Sequence, residues 1–150
     1  MGDLTLNFSL DEFLVTETGL DNTPTALHLH RLKTVTAPGM QIIRNWVGRA
    51  IVATSAYRNP KVNRAVGGTP TSAHPQGWAV DSRAAGLSLL EYARFIAGLM
   101  RPGQPLHGKV DQLIYEVGRT VHVSFDPRAR GQILTQRGGP GTPMTKGLVA

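Results

Sequence analysis

The chain has 150 residues, enough to bury one hydrophobic core and too few for two comfortable domains. Only 17% of the residues are charged, and 17 glycines and 10 prolines punctuate the chain, which argues against a coiled coil or a long charged disordered tract. The absence of cysteine excludes disulfides and thiolate metal sites, whereas the net charge of +6 leaves nucleic acid, an anionic cell surface and simple solubility open as explanations.

The first half of the chain is predicted to be mainly helical. A capping box, S-x-x-E at 9–12, begins a short amphipathic helix. Apolar residues at helical spacing predict a helix over 25–36, and Pro38 is placed to begin a second helix, so the two form a helix pair. The β-rich run 49–55 predicts a buried strand, and a short helix follows over 59–66.

The second half is predicted to consist of strands with one helix between them. A loop over 69–76 precedes a strand over 77–83. A second capping box at 88–91 begins a strongly apolar helix. Two further strands, 112–117 and 120–125, are joined by a hairpin signal. Helices first and strands later predict an α+β fold, with helices packed on a small, mostly antiparallel sheet.

The C-terminal segment differs in composition from the rest of the chain. Residues 127–150 are rich in glycine, proline and threonine, which predicts a poorly ordered tail and leaves 1–126 as the folded domain. The tail contains four basic residues and no acid, whereas 1–126 holds 12 basic and 10 acidic residues. Most of the net charge therefore belongs to the tail, where it would help adhesion to an anionic cell envelope.

The most specific feature is an S-x-H-x-x-G-x-A-x-D pattern at 72–81, followed by V-H-V-S-F at 121–125. His74 in a loop, Asp81 in the next strand and His122 in a later strand offer two imidazoles and a carboxylate. A catalytic zinc takes three such ligands and keeps a fourth position open for water. Taken singly, a strand aspartate is typical of a salt bridge and a strand histidine of a hydrogen-bonded core. The complete pattern predicts a metal site.

These motifs do not stand alone. Together with F-S-L-D-E-F at 8–13, S-A-Y-R at 55–58 and V-G-G at 66–68, they resemble the zinc D-Ala-D-Ala carboxypeptidases and the related phage endolysin peptidases, the LAS-type metallopeptidases. The resemblance extends over roughly residues 8–125. It implies the hedgehog/DD-peptidase fold, a zinc cofactor held by the three predicted ligands, and hydrolysis of peptide bonds in bacterial peptidoglycan.

The resemblance also implies a glutamate general base near the last histidine. Many relatives place an acid or another histidine three residues before that ligand, where this chain has Arg119, and the nearest carboxylate is Glu116. Glu116 lies six residues before His122 and shares its sheet face only if the hairpin loop has an odd length, such as 118–120. A two-residue turn at 118–119 would point Glu116 away. We predict the odd loop, with a solvated strand-end charge as the alternative.

Two further residues match the family pattern. Arg58 corresponds to the arginine that, in this family, holds a substrate carboxylate or stabilises the oxyanion, a role that suits a planar guanidinium. A surface ion pair is the alternative for Arg58. Ser72 corresponds to the family serine ahead of the first ligand, where its hydroxyl binds the substrate backbone or caps the loop.

The leading hypothesis is a monomeric zinc metallopeptidase that cleaves stem or cross-link peptides of peptidoglycan, of carboxypeptidase or endopeptidase type. The N-terminal residues lack a signal peptide pattern, no run of 18 apolar residues predicts a transmembrane segment, and no wall-binding repeat is present. These features favour a phage endolysin, synthesised in the cytoplasm without a signal peptide and acting on the host cell wall after release.

Two alternatives come from other functional classes. Arg119, in place of the usual acid or histidine, is compatible with a non-catalytic zinc-fold module that binds the cell wall or forms part of a phage structure. Nucleic-acid binding rests on the basic charge alone, because no aromatic residues alternate with the basic ones and no DNA-binding motif is present. We therefore expect no specific nucleic-acid partner.

Overall fold

A computed structural model describes residues 2–150 and confirms the α+β prediction. None of the helices in this part of the chain is long and apolar enough to cross a membrane. The helices are α1 (Leu10–Leu14), α2 (Ala26–Arg31), α3 (Ala37–Val47), α4 (Pro60–Ala65) and α5 (Leu89–Leu99), and the strands are β1 (Ile51–Ser55), β2 (Ala79–Ala84), β3 (Gln112–Glu116), β4 (Thr120–Ser124), β5 (Gln132–Gln136) and β6 (Met144–Lys146).

The strands form one sheet in the order β1-β2-β4-β3-β5-β6. Every neighbouring pair is antiparallel except β3 and β5, which run parallel. The predicted small, mostly antiparallel sheet is therefore confirmed, and it matches the hedgehog/DD-peptidase-like fold.

The two faces of the sheet have different surroundings. Val80 and Ser82 of β2 point to the face that α5 covers, where the Ser82 hydroxyl lies 2.8 Å from the hydroxyl of Tyr92. Side chains alternate along a strand, so Asp81 points to the opposite face. Asp81 is paired directly with His122 of β4, and directly opposite residues share a face. Helix α5 thus covers one face of the sheet, and the opposite face carries the polar residues Asp81 and His122.

The predicted helix pair is a single helical path from Ala26 to Val47. A π-helical turn at Leu32–Thr36 joins α2 to α3 without a loop, and the amide of Ala37 donates to the carbonyl of Leu32, five residues earlier. Pro38 lacks an amide hydrogen and its ring crowds the preceding turn, so it cannot continue an ordinary α-helix. The wider turn accommodates the proline, and for this reason the helix does not end there.

The prediction of a poorly ordered tail over 127–150 differs from the structure, in which this segment contains β5 and β6. β5 lies beside β3 as the second strand from the edge, and β6 pairs with β5 at the edge. Polar contacts hold it there: the Gln112 side chain donates to that of Gln132 at 2.8 Å, and the Thr135 hydroxyl donates to the Gly147 carbonyl at 2.7 Å. The pattern of apolar residues did not predict β5, because backbone pairing with β3 and β6 contributes more to its position than burial of its side chains.

A buried carboxylate ties the start of this segment to the sheet. Asp111, only 1% exposed, precedes β3 and accepts hydrogen bonds from Nε and Nη2 of Arg130, both at 2.8 Å, and from the Arg130 amide at 3.0 Å. Burial opposes ionisation of Asp111, but the hydrogen bonds and charge of Arg130, assisted by Arg128, outweigh it and hold the Asp111 pKa below its ordinary value. Asp111 is therefore ionised in the folded protein at neutral pH.

Asp111→Asn is expected to lower the free energy of unfolding by about 2 kcal/mol at pH 7, because it removes charge-assisted hydrogen bonds from a buried acceptor. A depressed folded-state pKa stabilises the protein above the unfolded value, near pH 4, and this contribution is lost as the pH falls further. Urea unfolding of both proteins should therefore show a difference that narrows below about pH 4. A difference that stays constant down to pH 2 would contradict this role for Asp111.

Candidate metal centre and cleft

Three residues that are distant in sequence meet on the open face of the sheet. His74 begins a 3-10 turn (His74–Gln76) just before β2, Asp81 lies within β2, and His122 lies opposite it in β4. One potential ligand atom from each lies within 4.8 Å of the others, and all three residues are buried. The structure therefore brings together the three residues in which the sequence predicted a metal site.

The hydrogen-bonding pattern defines which atoms face one another. His74 Nε2 lies 3.1 Å and His122 Nδ1 lies 3.0 Å from the same oxygen of Asp81, Oδ1. On its other side, Nδ1 of His74 lies 2.5 Å from the carbonyl oxygen of Ala56. A carbonyl only accepts, so Nδ1 carries a hydrogen, and Nε2 is the ring atom that faces the centre.

The charge states of His74 and Asp81 suit a cation. Burial lowers the pKa of His74, although the neighbouring Asp81 partly opposes this effect. Burial alone would raise the pKa of Asp81, but the charges and hydrogen bonds of His74 and His122 outweigh it and hold this pKa well below its usual range. A neutral imidazole and a carboxylate are the protonation states that bind metals.

This donor set fits zinc. It consists of imidazole nitrogen and carboxylate oxygen, it offers three protein ligands, and the backbone carbonyl of Ala56 orients the first of them, as partners behind zinc ligands commonly do. When no metal is bound, a proton on each facing ring nitrogen can bridge to Asp81 Oδ1, and a metal ion would take the place of those protons. The convergence of His74 and His122 on one oxygen of Asp81 is therefore the feature that fits a bound metal.

Glu116 ends β3 and lies on the same face as His122. It pairs with Thr120 across a three-residue loop at 117–119, so the predicted odd loop is confirmed, although it closes one residue earlier than the predicted 118–120. The Glu116 carboxylate lies 3.4 Å from Nη1 of Arg119. Burial, and then the charge of Asp81, raise the Glu116 pKa above its ordinary value.

Arg58 and Ser72 border the same centre. The Arg58 guanidinium lines the cleft, and its Nε is buried with no hydrogen-bond partner among the described residues. Burial lowers the Arg58 pKa, whereas Asp81 and Glu116 oppose that shift. The Ser72 hydroxyl accepts a hydrogen bond from the His74 amide at 3.2 Å, which corresponds to the loop-capping alternative. Binding of a substrate backbone by Ser72 stays a prediction.

A cleft of about 340 Å³ joins these residues. Its far wall was not anticipated from the sequence, because it is built by the C-terminal segment. Arg128 and Arg130, Gln136 of β5 and Met144 of β6 all line it. The sequence showed that this segment is basic. It did not show that the segment lies beside the metal site.

Comparison with known proteins agrees with this arrangement. A family model described as Peptidase M15 matches residues 6–124, a span that includes the candidate metal ligands, Glu116 and Arg58. No curated protein matches the chain significantly. The match ends at the last residue of β4, so β5, β6 and the arginines before them lie outside it.

Proposed function

The chain belongs to the peptidase M15 family, and on that premise we propose that it is a zinc-dependent peptidase that hydrolyses peptide bonds in the stem or cross-link of bacterial peptidoglycan. One observation carries the proposal: two histidines and an aspartate converge within 4.8 Å in a cleft that Glu116 and Arg58 also line. A metal site, a carboxylate and a cation in one cleft are suited to metal-dependent peptide hydrolysis.

In this mechanism, His74, Asp81 and His122 would hold a zinc ion, which would supply Lewis-acid activation of a water and of the scissile carbonyl. Glu116 lies on the same sheet face and accepts the proton of the attacking water, then returns it to the leaving amine. Arg58, whose buried Nε has no partner among the described residues, donates to the developing oxyanion or to a substrate carboxylate.

Arg58→Ala is expected to lower kcat/KM by about 10²- to 10³-fold, the usual effect of removing a donor that stabilises the oxyanion. Zinc content should not change, because Arg58 is not a ligand. Arg58→Lys should restore part of the activity, since it keeps the charge but loses the planar fork. Peptide-hydrolysis kinetics and metal analysis check both variants.

Arg94→Ala is the matched control for Arg58, because Arg94 is exposed on α5 and does not line the cleft. It should retain the kcat/KM of the parent protein. Equal activity of Arg58→Ala and Arg94→Ala would contradict the proposed role of Arg58.

We also propose that the enzyme acts as a phage endolysin, made in the cytoplasm and acting on the host wall as a monomer. The net charge of +6 supports this role, since it favours contact with an anionic envelope. Purified protein added to outer-membrane-permeabilised cells should then lower their turbidity, and excess chelator should abolish the effect. If the turbidity of the cells does not fall although the zinc-loaded protein hydrolyses peptides, the lytic role would be contradicted.

Purified sacculi test the enzymatic proposal itself. The zinc-loaded protein should release new amino groups from them, and mass spectrometry of the fragments identifies the bond cleaved and hence the carboxypeptidase or endopeptidase type. The Glu116–Arg119 ion pair supports the alternative, a non-catalytic wall-binding module, because it occupies the proposed base. Zinc-loaded protein that binds sacculi without releasing amino groups would favour that alternative.

A further inference from the structure

We infer that Arg128 and Arg130 form a second anion-recognition subsite in the cleft, which binds a carboxylate of the peptide substrate away from the scissile bond. This inference rests on the proposed peptidase function and concerns its specificity. Both arginines line the cleft that contains His74, Asp81 and His122. They lie beyond residues 6–124, so the family match does not include them.

Two acids hold these arginines in place from behind. Asp111 and Asp126 have side chains only 1% and 7% exposed, whereas those of Arg130 and Arg128 are 37% and 59% exposed. Arg130 binds Asp111 through Nε and Nη2, and Arg128 binds Asp126 through the same two atoms. The acids are thus buried and the guanidinium groups are presented to the cleft, an arrangement that reduces the entropy lost when a ligand binds.

Each guanidinium keeps donors for a ligand. No hydrogen bond within residues 2–150 uses Nη1 of Arg128 or of Arg130, and each Nη1 carries two N–H groups. Two neighbouring arginines with free donors match the two oxygens of a carboxylate. Asp126 and Asp111 bind the Nε and Nη2 atoms of these guanidinium groups, so a ligand can bind Nη1 without breaking the ion pairs.

The distance between the subsite and the metal site indicates which residue of the substrate the subsite binds. Arg130 binds Asp111, which directly precedes β3, whereas Ile114 of β3 lies opposite His122. Asp111 and Ile114 are three residues apart along the chain, which corresponds to about 10 Å in an extended strand. An extended peptide covers that distance with about three residues. A carboxylate held by Arg128 and Arg130 therefore belongs to a residue about three positions from the bond that is cleaved.

The charge of the cleft favours the same ligand. Arg58, Arg128 and Arg130 line it together with Asp81 and Glu116. Asp126 and Asp111 lie behind Arg128 and Arg130 and offset part of their charge, so the exposed side of the subsite presents N–H donors and partial positive charge. A bound zinc ion would make this surface more positive still. A peptide with more than one carboxylate can therefore place one near Arg58 and another at the subsite, and the field of the cleft attracts both.

The test uses the pentapeptide L-Ala-D-Glu-L-Lys-D-Ala-D-Ala in three forms: the free acid, the form amidated at the D-Glu carboxyl and the form amidated at the C-terminus. Calorimetry measures the Kd of each form for the zinc-loaded full chain carrying Glu116→Gln, in which turnover is suppressed. Kinetics measure kcat/KM for the parent protein. Arg128→Gln is the diagnostic variant because Asp111 keeps its bonds to Arg130. Arg94→Gln removes the same charge outside the cleft.

Amidation of the carboxyl that meets the subsite should weaken binding by about five- to tenfold, as expected for a partly exposed charge-assisted contact. Arg128→Gln should remove that discrimination while leaving the affinity for the amidated form unchanged, and Arg94→Gln should keep it. A loss caused by amidation of a carboxyl at Arg58 should not depend on Arg128. The position that responds to Arg128→Gln shows whether the subsite binds the internal or the terminal carboxylate.

Equal binding of all three forms, discrimination at both positions that survives in Arg128→Gln, or no binding of any form at millimolar concentration would overturn the subsite. Peptide hydrolysis by the parent protein together with any of these results would leave the proposed function intact. If binding depends on Arg128 but the parent protein does not hydrolyse the peptide, the proposed peptidase function would be wrong and the proposed subsite would stand.

Discussion

His122→Ala protein should lose stoichiometric zinc and peptide hydrolysis together. His122 Nδ1 lies 3.0 Å from Asp81 Oδ1, and alanine would leave two donors where catalytic zinc requires three. Substitution of residues that merely orient zinc ligands commonly costs 10- to 100-fold in affinity. Loss of a ligand should therefore weaken zinc binding by more than about 100-fold. Metal analysis after dialysis and zinc titration calorimetry measure the loss.

His122 is only 7% exposed, so misfolding must be separated from the loss of a ligand. Circular dichroism and the urea midpoint of the metal-free proteins provide that separation. His30→Ala is the matched control, because His30 is exposed on α2 and should retain full zinc content and activity. Stoichiometric zinc in folded His122→Ala protein would contradict the assignment of this ligand.

Glu116→Gln should keep zinc and lose turnover. The amide is nearly isosteric with the carboxylate but cannot accept the proton of the attacking water. General-base catalysis contributes about 10²- to 10⁴-fold, so kcat should fall by about 10³-fold. The expected signature is a lower kcat with unchanged zinc content, which distinguishes Glu116 from the three candidate ligands.

The control for Glu116 is Glu17→Gln, which makes the same substitution at an exposed position before α2. That variant should retain the parent kcat. Full turnover of the Glu116→Gln protein would show that another group removes the proton, and the proposed assignment of the general base would then be wrong.

The metal site was predictable from the motif at 72–81 and the later strand with His122, because together they supply three ligands of the types that zinc takes. Alternation placed Asp81 and His122 each on one face of a strand, but it could not determine that β2 and β4 are neighbours with these two residues opposite each other. The hairpin was more predictable. Its loop had to be odd for Glu116 to share a face with His122, and the structure has such a loop, one residue earlier than expected.

Features that depend on long-range pairing were not predictable. β5 contains two large apolar residues, Ile133 and Leu134, and it lies in the sheet because its backbone pairs in parallel with β3, twenty residues earlier. The same pairing brings Arg130 to Asp111. The continuous helix through Pro38 was not predicted for a local reason. A proline usually marks a helix boundary, but here the π-helical turn before Pro38 accommodates its ring and the helix continues.

A crystal structure of the zinc-loaded protein, with anomalous diffraction recorded on both sides of the zinc absorption edge, tests the central claim most directly. The expected result is one strong peak bounded by His74 Nε2, a carboxylate oxygen of Asp81 and His122 Nδ1, with Glu116 directed toward the open side. A zinc peak elsewhere, or none in the cleft at full zinc loading, would contradict the account.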